Sequence, residues 1–195
     1  MKKSLKDLTD FLEPIRNRNY ALFPVDALLT DREIKELIRL AEKRISKKDN
    51  QIKFICNRLG QGLVKSKQEK VGKLIESKIT RALMAVNSGE VFLFEALSLR
   101  MAKNAVPIVS RRHVDDTAYF VVVLALDSVG PVLYVKTADR KEKKIVVPEG
   151  HGVVMSGVER ERVRSIEAIS HLAPKKKFKK RTVLIATYRD ARIFI

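Results

Sequence analysis

The chain has 195 residues, 45% of them hydrophobic and 32% charged, enough apolar content to bury a core and to exclude disorder of the whole. A lone cysteine, Cys56, rules out an internal disulfide, the basic opening stretch lacks an apolar h-region, and "YFVVVLAL" falls well short of the roughly 20 residues that a membrane-spanning helix needs. The expected setting is therefore cytoplasmic, reducing and away from membranes, and the net charge of +17 from 40 Lys and Arg against 23 Asp and Glu predicts a polyanionic partner, DNA or RNA foremost.

The first 88 residues read as mainly helical. In "TDREIKELIRLAEKRI" Thr30 and Glu33 stand at capping-box spacing, and Ile34, Leu37, Ile38, Ala41 and Ile45 fall on one face. The stretch "SKQEKVGKLIESKITRALMAV" repeats the pattern, with Ser66 and Glu69 as the box and Val71, Leu74, Ile75, Ile79, Ala82, Leu83 and Val86 as the stripe. Its other face carries Lys70, Lys73, Lys78 and Arg81, a solvated face that can also follow a phosphate backbone. After Asn87–Glu90 the segments become short and β-branched, predicting strands near 91–101, 106–112, 118–127, 131–137, 143–147, 152–156, 163–170 and 181–188. The expected fold is α+β, a double-stranded β-helix (jelly roll) of about eight antiparallel strands with the N-terminal helices packed on one sheet. Length favours a single domain over 1–195, with 1–88 as helical support and 89–195 as the catalytic core.

The stretch "RRHVDDTAYFVVVLALD", residues 111–127, sets charge directly before the most apolar run. In an extended strand His113 and Asp115 project from one face and Val114 from the other, which makes an imidazole–carboxylate chelate. A second histidine completes the facial triad associated with non-haem Fe(II). His171, 56 residues beyond Asp115 and after a strand-like run, is the better third ligand, whereas His151 in "PEGHGV" reads as a solvated turn. Arg181 follows ten residues later at the head of "RTVLIATY". With the strand ending at His171 and the strand beginning at Arg181 as antiparallel neighbours, both side chains enter one cavity, where an arginine can grip a dicarboxylate through bidentate bonds.

This ordered set, "HVD", a distant "SH" and an arginine ten residues on, resembles the 2-oxoglutarate and Fe(II)-dependent dioxygenase superfamily over residues 90–189. The resemblance implies that His113, Asp115 and His171 are catalytic metal ligands for Fe(II) and that Arg181 binds the distal carboxylate of 2-oxoglutarate. It also implies dioxygen as a reactant, with oxidative decarboxylation to succinate coupled to hydroxylation or oxidative demethylation of a substrate. The chain departs from the pattern where Val183 replaces a serine that some branches carry two residues after the arginine. Tyr119, Tyr134 and Asn104 are the candidates for the missing second contact to 2-oxoglutarate. Arg111, Asp116 and Phe178 are candidates for contacting the substrate, Phe178 by stacking on a base. Together with the charge, the set points to a nucleic-acid base as substrate. The alternatives are a protein side chain, hydroxylated in the prolyl manner, and a non-catalytic basic jelly roll that binds nucleic acid.

Overall fold

The computed structural model describes residues 5–44, 51–57, 67–105, 111–174 and 178–194. The helices are α1 (Leu5–Leu12), α2 (Asp31–Arg44), α3 (Lys67–Val86) and α4 (Val158–Arg164). The capping box forms at the start of α2: the backbone N–H of Thr30 donates to Glu33 Oε2 at 2.7 Å and that of Glu33 donates to Thr30 Oγ1 at 3.3 Å. Leu37 and Ala41 of α2, with Ile75, Ile79, Ala82, Leu83 and Val86 of α3, are buried in one apolar cluster. Ile45 and Ser66 lie outside the described residues, as do the side chains of Lys70, Lys73, Val71 and Leu74. On the polar face of α3, Lys78 is tied to Glu33 at 2.8 Å and is not free to follow a phosphate chain.

Among the described residues nine strands occur in the order β1 (Tyr20–Pro24), β2 (Gln51–Asn57), β3 (Phe92–Ala105), β4 (Phe120–Ala125), β5 (Val132–Lys136), β6 (Glu142–Val146), β7 (His151–Ser156), β8 (Ser170–Leu172) and β9 (Phe178–Asp190). They form a larger sheet ordered β1-β7-β4-β9-β3-β2 and a smaller one ordered β6-β5-β8, and every pairing is antiparallel. Alternation along each strand separates two cores. Phe120, Val122, Leu124, Val154, Leu184, Ala186 and Tyr188 face the helices. Val121, Val123, Val153, Met155 and Val183 face the smaller sheet, where they meet Leu133, Val147 and Ile169. The continuous valine run of β4, buried at every position, thus serves both layers, as a central strand covered on both faces must. The result is an α+β jelly roll with helices on the outer face of its larger sheet.

A buried arginine ties the N-terminal segment to the late part of the chain. Arg160 is fully buried; it donates to Ile15 O at 2.7 Å, Arg18 O at 3.2 Å and Ser156 Oγ at 2.7 Å, pairs with Glu90 at 3.1 Å, and lies 4.7 Å over the Phe120 ring.

Besides its helices, the region before residue 88 supplies two strands, β1 pairing with β7 at one edge of the larger sheet and β2 with β3 at the other. Two expectations are corrected. The alternating "VERERVRSIEAIS" does not form a strand over 163–170. Glu159 and Glu161 in the first turn and Arg162 and Arg164 in the last suit the dipole of α4, and Ser165 ends it in the left-handed conformation at φ 55°. Only Ser170–Leu172 then extends as β8. His151 opens β7 opposite Pro24 instead of lying in a turn. Of the predicted strand 106–112, residues 106–110 lie outside the described residues and 111–112 are not in a strand.

Candidate functional site

His113, Asp115 and His171 converge: one ligand atom from each lies within 4.8 Å of the others. His171 Nε2 is 3.6 Å from Asp115 Oδ2, and the two imidazole rings lie 4.4 Å apart. His171 is buried, Asp115 half-buried and His113 exposed, so the cluster is closed by protein on one side and open to approach on the other. His113 Nδ1 lies 3.0 Å from Arg111 O, and His171 Nδ1 lies 3.4 Å from Ile169 O. A carbonyl only accepts, so each Nδ1 carries a proton, which leaves each Nε2 as the atom able to bind a metal. Burial pushes the His171 pKa below its ordinary value, and His113 adds to this while Asp115 opposes it. The ring is therefore neutral near pH 7, the form that binds a metal. Two imidazoles oriented by backbone carbonyls, together with one Asp side chain, fit a divalent ion of borderline hardness.

The convergence is built by backbone pairing. Leu133 of β5 points between the sheets, and His171 stands directly opposite it, so the imidazole points inward too. His113 is not within a regular strand; it makes an isolated bridge with His171, each donating its N–H to the other's carbonyl, at 3.0 and 2.8 Å. The chain then turns at Asp116–Thr117. The N-terminus of α4 grips this turn: Gly157 N–H donates to Tyr119 O at 3.0 Å, Val158 N–H to Asp115 O at 3.1 Å and Glu159 N–H to Ala118 O at 3.1 Å.

No protein-family profile matches the chain, and no curated protein sequence is similar to it. Solved structures are. A 2OG-Fe(II) oxygenase family oxidoreductase from Burkholderia pseudomallei superposes with TM-score 0.64 at 16% identity, covering 97% of this chain and 92% of its own. A prolyl hydroxylase from Trichoplax adhaerens, in complex with a hypoxia inducible factor peptide fragment, gives TM-score 0.64 at 13% identity over 96% and 91%. A full-length Neurospora crassa protein in complex with alpha-KG and 5-formyluracil gives 0.65 at 13% over 96% and 79%. The chain has the 2OG-Fe(II) oxygenase fold.

Within that fold the other predicted residues separate sharply. Arg181 belongs to β9 in the larger sheet and His171 to β8 in the smaller one, so their strands are not neighbours as expected; the two stand on opposite layers. Arg181 shares the face of Val183 and Ile185, which look between the sheets. It is half-buried and donates Nε–H to Val129 O at 3.3 Å. Tyr119 does not reach this space: it is buried in the helix-side core, stacked near Phe92 and edge-on to Phe120. Tyr134 projects from the outer face of the smaller sheet, beneath the Arg112 guanidinium at 4.2 Å. Arg112 also bonds Ser170 Oγ at 2.8 Å and pairs with Glu142, which makes it an edge staple. Arg111 and Asp116 are exposed beside the cluster. The side chains of Asn104 and Phe178 lie outside the described residues, as does most of the "KKKFKK" run.

One contributor was missed in the sequence. Gly157 is packed so closely on the turn that a Cβ there would lie 2.1 Å from Ala118 O; "MSGVE", a glycine before an acidic first turn, was the available signal.

Proposed function

We propose that this chain is a 2-oxoglutarate and Fe(II)-dependent dioxygenase, in which His113, Asp115 and His171 hold the metal and Arg181 receives the distal carboxylate of 2-oxoglutarate. The observation that carries this reading is the meeting of three ligand atoms, drawn from two distant stretches of sequence, within 4.8 Å inside an oxygenase-type jelly roll. When bound, the iron supplies activation of dioxygen, so that decarboxylation of 2-oxoglutarate to succinate is coupled to hydroxylation of a C–H bond. The protein's part is orientation and exclusion of water. Backbone carbonyls fix both imidazole tautomers, α4 fixes the turn that carries Asp115, and the valine wall of β4 keeps the space between the sheets dry. The exposed side of His113, flanked by Arg111 and Asp116, is where a substrate approaches.

The substrate we infer is a nucleic-acid base. The net charge of +17 supports it, with Arg140, Lys141, Lys143 and Lys144 exposed around the β5–β6 hairpin. The neighbour solved with 5-formyluracil, a nucleobase, is consistent with it. Peptide hydroxylation is the second reading, favoured by the peptide-bound prolyl hydroxylase whose length this chain matches more fully. Anaerobic calorimetry with Mn(II) tests the chemistry. Metal binding that is lost in His171→Ala, with 2-oxoglutarate binding only to metal-loaded protein, is expected; no specific metal binding overturns the reading. For the substrate, log affinity for DNA or RNA is expected to fall with log salt by about 0.9 per phosphate contacted on duplex DNA, and a flat slope returns the choice to peptide.

A further inference from the structure

Between the sheets, β3 and β9 run side by side with Ala96 opposite Thr187, Ser98 opposite Ile185, Arg100 opposite Val183 and Ala102 opposite Arg181. The alternate residues Leu97, Leu99 and Met101 lie in the helix-side core, so Ser98, Arg100 and Ala102 share the inner face with Arg181. Arg100 and Arg181 are therefore diagonal neighbours, with Cβ atoms about 7–8 Å apart or less, within reach of long side chains. The positions between them are small: Ala102 faces Arg181, and Ala125 of β4 flanks Val183 from the other side.

Two like charges on adjacent strands repel, and nothing among the described residues neutralises them. Arg100 spends its Nε on Ser98 Oγ at 3.2 Å and Arg181 its Nε on Val129 O at 3.3 Å, which steadies each guanidinium. Neither has a carboxylate within ion-pair distance among the described residues. The acid nearest Arg181, Asp127, is already engaged: it accepts from the backbone N–H and hydroxyl of Thr182 and lies 3.4 Å from Lys180. Burial holds the Arg181 pKa below its ordinary value and the charge of Arg100 lowers it further, while Asp127 opposes both. A half-buried guanidinium beside an exposed one, neither paired with a carboxylate among the described residues, is suited to receive a carboxylate from outside the chain.

Val183 stands where a hydroxyl would have served as the second contact to the cosubstrate, and Arg100 is the residue directly across the ladder from it. We propose that Arg100 is a second cosubstrate-binding residue, which with Arg181 grips the distal carboxylate of 2-oxoglutarate from two strands. This inference rests on the dioxygenase reading above. It also predicts a selectivity: with two guanidinium groups at one end of the pocket, a 2-oxo acid without a distal carboxylate leaves both unpaired and binds poorly.

The test is anaerobic calorimetry on Mn(II)-loaded protein, comparing 2-oxoglutarate with 2-oxopentanoate, which has the same chain length and no distal carboxylate. Arg100→Gln is expected to weaken 2-oxoglutarate about tenfold or more, to leave Mn(II) affinity and 2-oxopentanoate affinity at wild-type values, and to be partly rescued as Arg100→Lys. A merely structural role would move both ligands together, and that result overturns the proposal. So does wild-type 2-oxoglutarate affinity in Arg100→Gln while Arg181→Gln has lost it, an outcome that leaves the dioxygenase reading standing. Failure of wild-type protein to bind 2-oxoglutarate with Mn(II) present overturns both.

Discussion

Replacing Gly157 with alanine probes how the fold aims its carboxylate. The added Cβ would sit 2.1 Å from the Ala118 carbonyl oxygen, 2.8 Å from its carbon and 3.0 Å from its Cβ, where ordinary contact begins at 3.4 Å. The obstruction is backbone, so no rotamer change relieves it, and the Asp115–Tyr119 turn must move by about 1 Å, the distance that restores van der Waals contact. That turn hangs from α4 through the amides of Gly157, Val158 and Glu159, so the displacement passes directly to Asp115. Overpacking of this kind costs about 1–3 kcal/mol. For a domain of this size that is a fall in Tm of about 2–12 °C. Misaligning a ligand costs about 10–100-fold in metal affinity. Thermal unfolding of metal-free protein and Mn(II) calorimetry of Gly157→Ala measure the two effects separately. Wild-type Mn(II) affinity in a variant whose Tm has fallen would refute the claim that α4 positions the ligand turn.

Arg160→Met is expected to destabilise the chain by about 3–5 kcal/mol, because it strands a buried carboxylate. Glu90, only 6% exposed, would be left with Arg164 at 3.6 Å, and the carbonyls of Ile15 and Arg18 would lose their donor; denaturant unfolding measures the loss, and a change below about 1 kcal/mol contradicts it. Asp190 accepts from the Arg192 side chain at 2.7 and 2.9 Å and from its backbone N–H at 3.0 Å. These bonds, the side-chain ones first, hold its pKa below the ordinary value. Its stabilisation is present above the unfolded-state pKa of about 4 and is lost as pH falls through the lower folded value. Asp190→Asn is therefore expected to lower stability at pH 7 and to close the gap with wild type on acidification, followed by unfolding at each pH; a pH-independent gap contradicts the assignment.

The parts of this architecture that sequence reveals are those governed by local rules. The Thr30–Glu33 box, the stripes of α2 and α3 and the valine run of β4 declare themselves through capping and period. The cluster of His113, Asp115 and His171 was legible for another reason: the residue types are chemically unusual together, and their order survives whatever path the chain takes between them. What stayed hidden depends on partners far away. β1 and β2 are strands because β7 and β3 offer edges to them, and a five-residue "YALFP" announces no such partner. The stretch 163–170 misled because its apolar residues recur at short intervals as in a strand, whereas Val163 and Arg164 close a short polar helix and the chain extends only from Ser170. Tyr119 and Tyr134 were candidates for the hydroxyl they carry, whereas a shift of one position along a strand sends a side chain to the opposite face. Arg100 was invisible for the complementary reason, since its meaning lies in the residue across the ladder.

Arg160 and β1 have a further consequence for how the molecule comes into being. The carbonyl of Ile15 waits for a donor 145 positions downstream, and Tyr20 for a strand partner at Met155. On a ribosome, which releases a chain from its N-terminal side, these two groups can be satisfied only after residues as far as Arg160 have followed. Until then the apolar Leu8, Leu12 and Ile15 have α3 to rest against but not the sheet that completes their cluster. Folding is accordingly expected to be slow and dominated by distant contacts, and the nascent stretch from α1 to β1 is the part most in need of shelter from other chains during synthesis.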